Sequence, residues 1–213
     1  MTTWTLDQLP SGALTHGVTA EPALHAGRTC MRVELTDTIT YDGSPGVDYV
    51  DQPTFLVVPT DFGVGSISVD VASGLNHKGP PDARGFAGLA YHLSGEVDQF
   101  ECVYLRPLNG QGLNPPAPRN RRAVQYFSYP DWPFDRLREA YPDGRFEAPA
   151  DLLPDIWTTL VLTVSESSVR VSVNGVVVLA VAETKAPVRS GPVALFVDIG
   201  TEAFFADLTI TAS

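Results

Sequence analysis

The sequence predicts an all-β protein, a two-sheet antiparallel sandwich of jelly-roll type. Three observations carry this. Apolar and polar residues alternate with period two in about ten short runs, whereas stretches of helical period are nearly absent. Gly and Pro, 18 of each, punctuate the runs at turn spacing. With 213 residues, 44% of them hydrophobic, the chain can bury a sizeable core in one large β domain.

The first runs are residues 29–36 and 54–58. Residues 64–72 alternate most cleanly: Ile67, Val69 and Val71 share one face, Ser66, Ser68 and Asp70 the other. Runs at 85–93, 99–108 and 122–128 follow. The last third adds 157–164, 169–174, 176–181, 193–199 and 203–211. Asn174-Gly175 predicts a two-residue hairpin turn, because both residues tolerate positive φ. The last three runs are expected to form a closing meander. Residues 74–84, with Pro80-Pro81, and 109–119, with Pro115, Pro116 and Pro118, read as loops, since proline lacks the ladder donor. Residues 130–154 read as irregular, except that 134–141 suit one or two helical turns packed on the sandwich. Without a repeat, low-complexity tract or linker, residues 1–213 read as a single domain.

The formal charge of −11 argues against a nucleic-acid partner, because phosphate binding needs a basic surface. Arg119, Arg121 and Arg122 form a small basic cluster, either a solvated loop end or a clamp for an acidic or hydroxylated ligand. Cys30 and Cys102 sit in apolar runs and read as buried free thiols, with no CxxC pair or Cys/His cluster to bind zinc. The first residues lack the basic start and apolar core of a signal peptide, and no run of about 18 apolar residues exists to span a membrane. The expectation is a soluble cytoplasmic protein without a membrane partner. Lys78 and Lys185 are the only lysines; with many Ala, Val, Gly and Pro, that bias fits a bacterial genome of high GC content.

The order of motifs carries a family resemblance. It runs through Gly65-Ser-Ile-Ser-Val-Asp-Val, Gly85-Phe-Ala-Gly-Leu-Ala-Tyr-His and Glu101-Cys-Val-Tyr-Leu-Arg-Pro. It continues with Trp157-Thr-Thr-Leu-Val-Leu, Val169-Arg-Val-Ser-Val-Asn-Gly, Gly191-Pro-Val-Ala-Leu-Phe and Phe205-Ala-Asp-Leu-Thr-Ile. Over roughly residues 63–212 this progression resembles the concanavalin A-like lectin/glucanase superfamily in its laminin-G-like form. It is most similar to bacterial 3-keto-disaccharide hydrolase-like and family 16 glycoside hydrolase-like domains. The resemblance implies a curved sandwich whose concave sheet carries a glycan site. It does not imply catalysis: the Glu-x-Asp-x-x-Glu strand motif of family 16 glucanases is missing, and Asp98-Gln-Phe-Glu101 only partly echoes it.

Within the strands, Glu101 is the first candidate for chemistry, because a mid-strand carboxylate must face solvent, a ligand or an arginine. His92, with a pKa near neutrality, is the candidate acid/base partner. Asp70, Asp131 and Asp198 are conceivable second carboxylates. Alternation places Glu101 with Val103 and Leu105, opposite Cys102, Tyr104 and Arg106; a bulge would be needed to unite Glu101 with Arg106. It groups His92 with Gly88 and Ala90. Arg106 and Gln125 are candidate contacts to sugar hydroxyls, and Tyr126, Tyr129 and Trp132 are candidate stacking surfaces. No cofactor is required. Asp48, Asp51 and Asp207 are the carboxylates that a structural calcium would use, though no EF-hand loop is present. Two functions stay open. One is a saccharide- or glycoside-recognising sandwich, acting as a hydrolase- or lyase-like enzyme at the concave sheet. The other is a non-catalytic laminin-G-like binding module, for which a homodimer through a sheet edge or face is an allowed state.

Overall fold

The computed structural model describes residues 1–213. In chain order the first half comprises β1 (Thr2–Trp4), β2 (Leu14–His16), β3 (Val18–His25), β4 (Arg28–Leu35), α1 (Asp37–Asp42), β5 (Phe55–Phe62), β6 (Gly65–Leu75), β7 (Ala87–Tyr91) and β8 (Phe100–Leu105). The second half comprises β9 (Val124–Tyr129), α2 (Phe134–Ala140), β10 (Glu147–Ala148), β11 (Thr158–Val164), β12 (Val169–Val173), β13 (Val176–Val181), β14 (Gly191–Val197) and β15 (Thr201–Ala212). The strands build two antiparallel sheets. One runs β13-β12-β11-β6-β15-β4-β3, with β1 on the second half of β15; the other runs β10-β9-β8-β7-β14-β5-β2. No helix is long and apolar enough to cross a membrane.

The predicted alternation in β6 holds, with Ile67, Val69 and Val71 in the core against Leu160 and Leu162 of β11. Asn174 and Gly175 form the expected turn at positive φ, and Val173 pairs with Val176. The expected closing meander does not form. β13 is an edge of the first sheet, β14 lies between β7 and β5 in the second, and β15 returns to the first. Local patterning marks strands but carries no information about which sheet receives them. Strands β1, β2 and β3 were not expected. β3 contains Glu21-Pro22 and is largely exposed, and an edge strand tolerates proline because one side needs no ladder donor.

The seven-stranded sheet differs from a half-solvated sheet. Every residue of β7 and β8 is buried, on both faces. Register places Glu101, Val103, Leu105, Leu89 and Tyr126 on the face toward the other sheet, and Phe100, Cys102, Tyr104, Gln125 and Phe127 on the opposite face. That outward face carries interlocking rings of Phe55, Phe100, Tyr104, Phe127 and Phe196. It is roofed by the segments that precede β5, follow β8 and surround α2. The roof is tied down by hydrogen bonds from the backbone N–H groups of Val50 and Asp51 to Asp198, and of Phe134 to Asp51. The small residues Gly88 and Ala90 lie under this aromatic layer; a Cβ on Gly88 would sit 2.1 Å from the carbonyl oxygen of Val103. Cys30 and Cys102 are free and buried, one in each sheet.

Candidate functional site

Where the roof stops short of the ends of β8 and β14, it leaves a cleft of about 410 Å³. Tyr104 and Arg106 enter from β8 and the turn after it. Phe86 and Arg84 come from the approach to β7, Asp198 and Ile199 from the end of β14, and Asn109, Arg119 and Arg122 from the Pro-rich loop. Tyr49, Val50 and Asp51 line it from the loop before β5, Phe134 and Arg138 from α2. The helix expected at 134–141 therefore contributes directly to the cleft.

Arg106 is the centre of the polar floor. It is 4% exposed. Its Nη1 donates to Glu147 at 2.8 Å, and its Nη2 donates to the Tyr104 hydroxyl at 2.8 Å and to Gln125 Oε1 at 3.1 Å. Glu147 also accepts from Arg138 and pairs with Arg122 at 3.3 Å. One buried carboxylate thus serves three arginines. Burial would raise its carboxyl, but the Arg138 hydrogen bonds and the Arg106 charge outweigh that and hold it below its ordinary range.

Asp51 and Asp198 form a second buried acidic group. Asp198 accepts the backbone N–H groups of Val50, Asp51 and Ile199, yet burial keeps its carboxyl raised. Burial, with the neighbouring Asp198 charge, pushes Asp51 up to about 7. Val50 and Asp51 both have left-handed backbone, φ 69 and 57, a conformation that is sterically unfavourable for a β-branched valine. Asp51 Oδ2 accepts from Phe134 N–H, whereas buried Asp51 Oδ1 has no partner. The same is true of Asn109 Oδ1, while Asn109 Nδ2 donates to the Arg122 carbonyl.

The raised Asp51 has a consequence for stability. The folded chain holds its proton more tightly than the unfolded chain, so the contribution is present below the ordinary value of 3.8 and is lost as pH rises through about 7. Asp51→Asn is expected to raise the melting temperature by about 4–8 °C at pH 8, equivalent to a few kcal/mol, with a smaller gain at pH 5. Circular dichroism melts at the two pH values check this; equal shifts at both would contradict it.

The expected site residues separate into four places. Arg106 lines the cleft, and fully buried Gln125 supports it from beneath. Tyr129 stacks on Phe100 at 5.1 Å and lines a small neighbouring hollow that shares Val50 and Asp51 with the cleft. Trp132 packs against Tyr141 and lies under Arg136 and Lys185, away from the cleft. Glu101, His92 and Tyr126 come together, but inside the sandwich. Glu101 is 0% exposed and His92 2%. Glu101 lies on the inward face of β8, whereas Arg106, in the turn just after the strand, reaches the outward side with Tyr104.

His92 departs from its expected face because φ is 55 at this position, which turns its ring out of the β7 alternation toward Glu101. Its Nδ1 lies 2.7 Å from Glu101 Oε2 and its Nε2 2.7 Å from the Gly63 carbonyl. A carbonyl only accepts, so Nε2 carries a proton. One further proton then lies between Nδ1 and Oε2. Whichever atom holds it, the pair is neutral overall, which suits an interior site. The Tyr126 hydroxyl donates to Glu101 Oε1 and accepts the backbone N–H of Lys185. The network joins the β5–β6 turn, β7, β8, β9 and the β13–β14 loop.

No group of three or more His, Cys, Asp and Glu side chains converges as a metal site would require. Asp48 accepts from Ser44 N–H, and Asp207 pairs with Arg28. Sequence reasoning did not single out Arg84, Asn109, Phe134, Arg138 or Glu147 as functional. Their one local signal is the density of arginines and aromatics in irregular segments.

No protein-family model matches this chain, and no curated protein matches it in sequence. Solved structures do match. The carbohydrate-binding module CBM66 from Bacillus subtilis superposes with a TM-score of 0.57 at 10% identity, over 92% of this chain and 95% of that one. A Bacillus subtilis protein of unknown function with a galectin-like fold gives 0.58 at 12% identity, over 98% and 93%. The ligand-free Crh5 transglycosylase gives 0.53 at 8% identity, over 100% and 84%. The fold is that of a concanavalin A-like, galectin-like β-sandwich. At these identities the likeness defines architecture alone.

Proposed function

We propose that this protein binds a saccharide in the cleft formed by Tyr104, Arg106, Asn109 and Phe134. The observation that carries the reading is a cleft that gathers arginines and aromatic rings around Asp51 and Asn109, two residues whose Oδ1 atoms are buried and lack a hydrogen-bond partner. A buried polar atom left unpaired is costly, and sugar hydroxyls are the donors that would satisfy both. Half-buried Tyr49 and Phe86 supply ring surface for the apolar C–H groups of a pyranose. The volume is of the size that holds a small ligand. The carbohydrate-binding module among the structural neighbours is in keeping with this use of the fold. Glu101 and His92 brace the interior in this reading rather than touch the ligand.

Isothermal titration against a panel of oligosaccharides tests it. Asn109→Ala and Phe134→Ala are each expected to weaken binding at least tenfold while the protein stays folded. Absence of binding to every saccharide would overturn the reading.

One arrangement favours turnover as a second reading. Asp51 and Asp198 place two carboxyl groups in one cleft, with Asp51 pushed up to about 7 and Asp198 held by three backbone N–H groups. Glycoside hydrolysis uses a carboxylic acid and a carboxylate on either side of the scissile bond. Release of reducing ends that disappears in both Asp51→Asn and Asp198→Asn would support it; binding without release would leave a non-catalytic module.

A further inference from the structure

The charge of the cleft narrows the ligand further. Five arginines line it: Arg84, Arg106, Arg119, Arg122 and Arg138. Three of them, Arg106, Arg122 and Arg138, share the single carboxylate of Glu147. Arg84 donates only to the carbonyls of Pro81 and Ala83, and Arg119 forms no ion pair. Opposing them are exposed Asp82 and the buried Asp51–Asp198 pair, whose oxygens accept backbone N–H groups except at Asp51 Oδ1. The protein as a whole carries −11, so a concave surface with an excess of guanidinium runs against its average.

Mutual repulsion is visible within the set. Burial, and then the charge of Arg119, lowers Arg84; burial, and then Arg138, lowers Arg122. Side chains that repel one another in a half-buried cleft gain most from an anion that bridges them, and the planar guanidinium matches a carboxylate or sulfate. Beside these donors stand the two unpaired acceptors, Asp51 Oδ1 and Asn109 Oδ1. The cleft therefore combines surplus cationic donors with two residues, Asp51 and Asn109, whose buried Oδ1 atoms lack a partner. A ligand complementary to both carries an anionic group and hydroxyl donors on one small frame.

Building on the saccharide reading above, we infer that the ligand is an acidic saccharide, its carboxylate or sulfate held by Arg84, Arg119 and Arg122 while its hydroxyls meet Asp51 and Asn109. An acidic sugar meets both requirements at once. A neutral glycan leaves the arginines unbridged, and a free inorganic anion leaves the acceptors vacant.

Titration calorimetry with four kinds of probe tests this: oligogalacturonate, its methyl ester, a sulfated oligosaccharide with its desulfated counterpart, and neutral gluco-oligosaccharides. Wild-type protein is expected to bind at least one acidic member tenfold or more tightly than its neutralised counterpart. Which member binds separates a carboxylate from a sulfate. Arg84→Gln/Arg119→Gln is expected to reduce acidic binding at least tenfold, and raising salt from 0.05 to 0.5 M to weaken it further. Both arginines are half-buried and lack a carboxylate partner, so the double variant should keep its melting temperature; if it does not, Arg119→Gln alone serves. Neutral probes binding as tightly as acidic ones, with the arginine variant unaffected, would overturn the acidic-ligand inference and leave the saccharide reading standing. No binding to any probe would overturn both.

Discussion

Glu147→Ala is expected to lower the free energy of unfolding at pH 7 by about 3–5 kcal/mol, the loss typical when one member of a buried ion pair is removed. Glu147 and Arg106 are both almost inaccessible, and Arg106 would keep only the neutral partners Tyr104, Gln125 and the Arg122 carbonyl. Arg122 and Arg138 would lose the same counter-charge. Urea denaturation of the variant and wild type measures the effect. The sign of its pH dependence follows from the depressed Glu147 carboxyl. Its contribution is present above the ordinary value of 4.5 and is lost as pH falls through the lower folded value. The two unfolding curves should therefore converge in acid. A loss under about 1 kcal/mol at pH 7 would show that Glu147 does not hold the three arginines in place.

Glu101 separates a structural from a catalytic role through two substitutions with opposite outcomes. Glu101→Ala leaves His92 Nδ1 and the Tyr126 hydroxyl unpaired in the interior and is expected to destabilise the fold by about 3–5 kcal/mol. Glu101→Gln preserves every hydrogen bond. Its Oε1 accepts from Tyr126, its amide donates to neutral His92 Nδ1, and Nε2–H still donates to Gly63. That variant is expected to unfold within about 1 kcal/mol of wild type. It should also bind and turn over any saccharide as wild type does, because the cleft does not include residue 101. If Glu101→Gln folded normally but abolished turnover, the interior bracing role would fall.

Some of this site was legible in the chain. Period-two alternation separates Glu101 from Tyr104 and Arg106 and places Gln125 opposite Tyr126, and the register agrees. The helical stretch at 134–141 was readable, and α2 delivers Phe134 and Arg138 to the cleft. Asn-Gly specified its own turn because left-handed backbone is a local property. What alternation does not convey is which face meets the opposite sheet. Glu101 stands out in the sequence as a polar residue in mid-strand, but its partner His92 reaches it through a left-handed backbone that alternation does not foresee.

The sequence by itself determined most strands after β3, the Asn174-Gly175 turn, the Pro-rich loops and the opposed faces of β8, because these depend on neighbours a few residues apart. The tertiary structure decided where each strand paired, which face of the seven-stranded sheet was roofed and which residues formed the cleft. Val50 and Asp51 meet Asp198 across more than 140 positions, and Arg106 meets Glu147 across 41. The acceptors and arginines proposed to meet the ligand come from three separate segments. Such a meeting is fixed by long-range packing and by the need to satisfy buried charge, and no local pattern records it.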